Sequence, residues 1–230
     1  MVKSYFFCFL SLMFSIFSDS PLFAQNPAYK NAQDAAYREV INKRAGKIVF
    51  ELDIPDTAKA GKVQDIIADQ YRNLNAIYTE RDTLISIAKR KNADNKAAAD
   101  SQVTAIKLAI IPSIEKLHTR YLSSLSELLT PEQVGKVKDG MTYGVLQVTY
   151  HSYLDMIPSL KEEEKKQIHQ WLVEAREYAM DAESSEKKHA WFGKYKGKIN
   201  NYLSKQGYDS KKEREEWMKR LKAKESVQTN

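Results

Sequence analysis

The residues with the most chemical character in this chain lie near its C-terminal end. Trp191, Phe192, Tyr195, Ile199, Tyr202 and Leu203 recur at near-helical spacing, with Lys187, Lys194, Lys198 and Lys205 interleaved. At 100° per residue, Phe192, Tyr195, Ile199 and Leu203 share one stripe, and Trp191 and Tyr202 fall at its edge beside the lysines. An aromatic ring flanked by ammonium groups can receive the apolar face of a sugar while the cations meet uronate carboxylates. Trp191, Tyr195, Tyr202, Lys194 and Lys198 are therefore candidate ligand-binding residues. The competing reading is a core boundary with lysine stems lying over it. Gly193 and Gly197 each disfavour helix by about 1 kcal/mol, and a break there would scramble the wheel.

A second cluster, Tyr143, Tyr150, His151 and Tyr153, precedes Pro158. Phenols and an imidazole at this density can line a pocket or fill a helix junction, and Tyr150 and His151 join the candidates. Glu162, Glu163 and Glu164 offer the residue type of a glycosidase's carboxylate pair. They sit at a helix start, where acidic side chains favour the positive end of the dipole, so they read as a solvated first turn. The four histidines are scattered, with no i, i+4 pair, and nothing points to a metal or other cofactor. No His-Glu-x-x-His, Gly-x-Ser-x-Gly or phosphate-binding glycine loop occurs. A non-catalytic role is favoured; the enzyme alternative is an unrecognised glycan-active hydrolase or lyase using Tyr150, His151 or His189.

The elements that position these residues read as helices throughout. The chain has 230 residues with only eight glycines and six prolines, and its apolar residues recur every three or four. The expected fold is an all-α helical bundle built on one long antiparallel hairpin with several shorter helices. Asn26-Pro27 opens a first helix to Phe50 with Tyr37, Val40, Ile41, Ala45, Ile48, Val49 and Leu52 inward. A second helix follows a cap at Asp56 or Thr57, carries Val63, Ile66, Ile67, Leu74, Ile77, Leu84 and Ala88, and ends near Lys91-Asn92. A third has a stripe from Val103 to Leu128 and a kink at Pro112. Thr130-Pro131-Glu132-Gln133 is a capping box, with Gly140 ending that helix. Residues 145–153 suit strand or helix and are taken as helix. Further capping boxes are read at Ser159/Glu162 and Ser210/Glu213. Gly61-Lys62-Val63 echoes Gly135-Lys136-Val137, either as two related units or as two helix starts alike by chance.

Lys3, an apolar run from Tyr5 to Phe17 and Ala24 before Gln25 have the form of a secretory signal peptide over residues 1–24. The remainder reads as a single helical domain over 25–224, with a subdivision near 130–158 left open and a frayed tail at 225–230. The sole cysteine, Cys8, lies in the leader, so packing alone must stabilise the exported chain. The leader contains one basic and one acidic residue, leaving the net charge at +6. Outside the cytoplasm nucleic acid is not an available partner. The available anions are acidic polysaccharide, lipid headgroups and acidic proteins. No later stretch is apolar enough to span a membrane, so the expected location is periplasmic or secreted.

Leu128-Leu129-Thr130-Pro131-Glu132-Gln133 resembles the Leu-Thr-x-x-Gln helix start of the Spy and CpxP family. That resemblance implies an ATP-independent periplasmic chaperone whose partners are unfolded or outer-envelope proteins. Lys59 stands where the corresponding earlier site would have glutamine. A broader resemblance rests on Ile66 to Arg72, Thr142 to Val145, Tyr153-Leu154-Asp155-Met156-Ile157-Pro158 and Lys194 to Asn200. These look like an uncharacterised, secreted, all-helical family of glycan-degrading Bacteroidota, a domain of unknown function loosely described as sugar-binding. It implies an accessory protein of polysaccharide utilisation whose partner is a glycan, an acidic one suiting the lysines. It supplies no catalytic residues.

Overall fold

The computed structural model describes residues 27–228, with side chains described from Asp34 to Lys224. The leader assigned to 1–24 lies outside the described residues. Among those described there are nine helices and no strand, so the fold is all-α. None of these helices is long and apolar enough to cross a membrane. The chain divides inside its first helix: one unit ends at Val40, and residues from Ile41 onward form a second, compact one. In the first unit the described residues are helical from Pro27, and Val40 is exposed rather than inward.

In the second unit, α1 (Pro27–Phe50) contributes Ile41, Ala45, Ile48 and Val49 to the core. The expected hairpin consists of α2 (Thr57–Lys91) packed along α3 (Lys96–Ala109) and α4 (Ile111–Ser126). Asp56 caps α2, its carboxylate accepting from the backbone N–H groups of Ala58 and Lys59 at 2.9 and 3.1 Å. The expected kink at Pro112 is a break. Its ring nitrogen cannot donate to the Leu108 carbonyl four residues back, so α3 stops and α4 restarts with the proline in its first turn. Depth also differs along the hairpin. Leu117, Tyr121 and Leu125 of α4 are buried, whereas α3 buries no residue fully and Leu84 of α2, expected inward, is 45% exposed. Among the described residues, α3 packs against α2 and α4 and no other helix.

Helix α5 (Pro131–Met141) begins at the predicted capping box: Gln133 N–H donates to Thr130 Oγ1 and the Thr130 N–H to Gln133 Oε1. Gly140 does not end it. A β-carbon there would lie 2.8 Å from Ile48 Cγ1, so this glycine lets α5 approach α1. Gly140→Ala should destabilise by about 1–3 kcal/mol through overpacking, more than the ~1 kcal/mol of helix propensity it gains. Gly135→Ala, in the same helix with open space at its β-carbon, should be neutral or stabilising. Paired thermal melts check the contrast, and equal Tm shifts for the two variants would remove the close-approach explanation. The sequence echo places Val63 and Val137 at equivalent, fully buried positions. Their helices differ in length, 35 against 11 residues, and share only their beginnings.

Tyr143 and Gly144 both adopt left-handed backbone, turning the chain into α6 (Val145–Met156), so residues 145–153 are helical. Helix α7 (Glu162–Met180) starts two residues later than the Ser159 cap expected. Glu164 closes its first turn by accepting from the Lys161 N–H at 2.9 Å and from the Tyr208 hydroxyl at 2.7 Å. Glu164 is buried, unlike the solvated role expected of the Glu162–Glu164 run. Helix α8 (Ser185–Lys205) is unbroken through Gly193 and Gly197 and capped by Ser184. Helix α9 (Ser210–Gln228) is capped by Asp209 rather than Ser210, and it carries helical backbone into the 225–230 tail. Its Arg220 donates to the carbonyls of Asp155 and Met156.

Helices α7 and α8 form the most extensive helix pair. Ala175 and Ala179 on α7 leave room for Phe192, Tyr195, Ile199 and Leu203 of α8, and Leu146, Tyr153 and Ile157 complete the same cluster. The buried stripe of α8 is the one the wheel predicts.

Candidate functional site

The faces that α7 and α8 leave outside this core meet the hairpin at a cleft of about 670 Å³, within the range of small-molecule sites. Its floor and walls come from separate elements. Tyr78 and Arg81 project from α2, while Ile111, Ile114, Glu115, His118 and Thr119 come from α4. Glu174, Glu177 and Tyr178 come from α7, Asp181, Ala182 and Glu183 from the turn after it, and Lys187 and Trp191 from α8. The spacing 174, 177, 178, 181 places all four on one side of a helix.

Asp181 organises the polar end. It is buried, its Oδ2 lies 2.6 Å from His118 Nδ1, and its Oδ1 accepts from Gln70 Nε2 at 3.2 Å. Its carbonyl accepts from the Tyr78 hydroxyl at 2.8 Å. Burial, then the nearby Glu183 and Asp181 charges, push the Tyr78 phenol up to about 12, so it stays a donor. The turn carrying Asp181 is pinned from below by Lys188. Its Nζ donates to the carbonyls of Ala179 and Met180 at 3.2 and 2.8 Å, and burial lowers that ammonium to about 8 despite Asp181.

On its other side, His118 Nε2 lies 3.7 Å from Glu177 Oε2. Glu177 is itself held by Lys138 Nζ at 2.7 Å, and Arg176 bonds Asp139 at 2.6 Å beside it. The hydrogen bond to Asp181 raises the His118 imidazole above its ordinary value. Desolvation opposes the rise and the two carboxylate charges reinforce it. A ring fixed at Nδ1 by a buried carboxylate, in a residue that lines a cleft, has the arrangement of an acid–base histidine.

The other end is aromatic. Tyr178 and Trp191 stack at 4.6 Å and 17°. Lys194 sits over the Trp191 ring at 4.9 Å, so that indole is already engaged, while Tyr178 remains 49% exposed. Arg81 lies over the Tyr78 ring at 4.7 Å and pairs with Glu183 and Asp82.

The sequence-derived candidates are dispersed. Trp191 lines the cleft, with Lys194 over its ring. Tyr195 is 5% exposed and belongs to the core, so it offers no ligand surface. Tyr202 packs edge-on against Trp171 at 5.2 Å, and Lys198 lies over Trp171 and Tyr195, outside the lining but with its Nζ 3.7 Å from the cleft residue Glu174. Of the five residues first grouped as one surface, Trp191 alone lines the cleft. Tyr150 contacts His169 edge-on at 5.1 Å, and His151 bonds the Gln147 carbonyl of its own helix at 2.8 Å. Tyr153 is buried against Asn200, and Tyr143 stacks on His189 at 5.8 Å. None of these is in the cleft lining. His118, Asp181, Glu177, Tyr178, Tyr78 and Arg81 were not singled out from sequence. The one available signal was the shared helical side of Glu174, Glu177, Tyr178 and Asp181.

The family model described as Protein of unknown function (DUF3826) matches residues 38–223. No curated protein matches the sequence.

Proposed function

Because the chain belongs to the DUF3826 family, whose description assigns no activity, we propose its function from the cleft itself: an exported protein that binds an uncharged saccharide. The half-exposed Tyr178 ring, backed by Trp191 on the wall of a cleft rich in carboxylates, carries this reading. A flat ring with a free face takes the C–H face of a pyranose, and carboxylate oxygens accept from its hydroxyls. The leader-like segment at 1–24 supports export.

Charge selects among glycans. The lining has five carboxylates, from Glu115, Glu174, Glu177, Asp181 and Glu183, against the cations of Arg81 and Lys187 and the imidazole of His118, with Lys138 and Lys198 pairing Glu177 and Glu174 from just outside it. The lining itself thus carries more acidic than basic side chains in a chain of net charge +6. A uronate would be repelled there, so the acidic glycan that suited the α8 lysines is replaced by a neutral one.

Titration calorimetry with cello-, xylo- and manno-oligosaccharides, and with oligogalacturonate as the acidic comparison, tests the reading. Binding of at least one neutral series is expected, with oligogalacturonate weaker. Tyr178→Ala should weaken binding about tenfold, the equivalent of ~1.4 kcal/mol. No heat from any neutral series, or unchanged affinity in Tyr178→Ala, would reject it.

A further inference from the structure

We propose that the cleft is hydrolytic as well as binding, with His118 as the acid–base residue that cleaves an acyl ester on a hydroxyl of the bound saccharide. The choice of a sugar ester rests on the saccharide-binding reading; the acid–base role rests on the geometry of the histidine. Asp181 fixes Nδ1 at 2.6 Å and is itself oriented by buried Gln70 at 3.2 Å. Nε2 is thereby left facing Glu177 Oε2 across 3.7 Å, a span that one oxygen atom, from water or from a sugar, can bridge.

Acyl chemistry suits a single oriented imidazole, because that one group can take a proton during attack and return it during departure. In the proposed step, water gives a proton to Nε2 of neutral His118 as its oxygen bonds to the acyl carbon. The carbonyl electron pair moves onto the carbonyl oxygen. When it returns, the bond from the acyl carbon to the sugar oxygen breaks, and that oxygen leaves with the proton from Nε2. The products are a carboxylic acid and a free hydroxyl, and His118 is neutral again. The charged groups acting on His118 are Asp181 and Glu177 from the α7 side and Lys138 from α5, while Glu115, Glu183, Arg81, Lys187 and Tyr78 line the same cleft.

Acetate release from O-acetylated cello-oligosaccharides by the full chain tests the proposal, with p-nitrophenyl acetate as a sugar-free ester. The wild type is expected to release acetate. His118→Gln should lower the rate about 10²–10⁴-fold while still binding the deacetylated oligosaccharide. Asp181 is a positioning residue. Asp181→Asn should lower the rate and also move the rising limb of the pH–rate profile to lower pH, which a merely structural loss would not do. His118→Ala, checked with His118→Gln for wild-type helicity by circular dichroism, guards against misfolding. The proposal is overturned if a wild type that binds the deacetylated sugar releases acetate no faster than buffer, or if His118→Gln keeps the wild-type rate. His118-dependent hydrolysis of p-nitrophenyl acetate without sugar binding would instead sustain the acid–base role and remove the saccharide.

Discussion

Asp181→Ala should be among the most damaging single substitutions in this protein, costing about 3–5 kcal/mol, the range for removing one partner of a buried charged pair. Its side chain is 11% exposed and satisfies two groups that have little recourse to solvent: His118 Nδ1, and the side-chain amide of Gln70, a residue 2% exposed. Truncation leaves both unpaired and opens a void between α2, α4 and α7. Because the His118 side chain keeps 23% exposure, partial rehydration should hold the loss toward the lower end of the range.

The loss should also depend on pH, with a definite sign. His118 is held above its ordinary value in the folded state, chiefly by the hydrogen bond to Asp181. A group raised in this way contributes stability that is fully present below its unfolded pKa, about 6.5, and is lost as pH rises through the folded value. Urea unfolding at pH 5.5 and 8.5 should therefore show a larger gap between wild type and Asp181→Ala at the lower pH. Equal gaps at the two pH values would mean that the pair is not linked to proton binding.

Phe192→Ala should cost a similar amount, about 3–5 kcal/mol, by a different route. The Phe192 ring is 1% exposed and belongs to the cluster that joins α7 and α8 with Leu146, Tyr153 and Ile157. The small side chains opposite it, Ala175 and Ala179, cannot expand into the space, so the cavity persists and its lining loses dispersion contacts. The neighbouring Trp191 is only half-buried at the cleft edge, and Trp191→Ala should cost clearly less. Urea midpoints with unchanged slopes measure both. A Phe192→Ala loss below about 1 kcal/mol would show that this cluster is not the stabilising core.

Much of the fold was legible in the residues because its rules are local. Asp56, and Thr130 with Gln133, mark helix starts through hydrogen bonds that close within three residues. The spacing of Phe192, Tyr195, Ile199 and Leu203 marks the buried side of α8 for the same reason. Misplaced starts at Ser159 and Ser210 are failures within that local rule: a competing cap, Glu164 or Asp209, lay a few residues away. Gly140 was misread as a helix end because its reason, the side chain of Ile48, lies in another helix.

The site belongs to the other class. A helical wheel ranks residues by direction but cannot say which side a neighbour covers, so Tyr195 and Tyr202 looked as available as Trp191. His118 and Asp181 are 63 residues apart, and Gln70 and Asp181 are 111 apart. No short-range pattern registers such pairs. The sequence by itself determined the helices and most of their apolar sides, because capping and periodicity act over a few residues. Only the tertiary packing of α7 and α8 against the hairpin decided that His118, Asp181, Glu177 and Tyr178 share one cleft, because each owes its neighbours to contacts between distant segments.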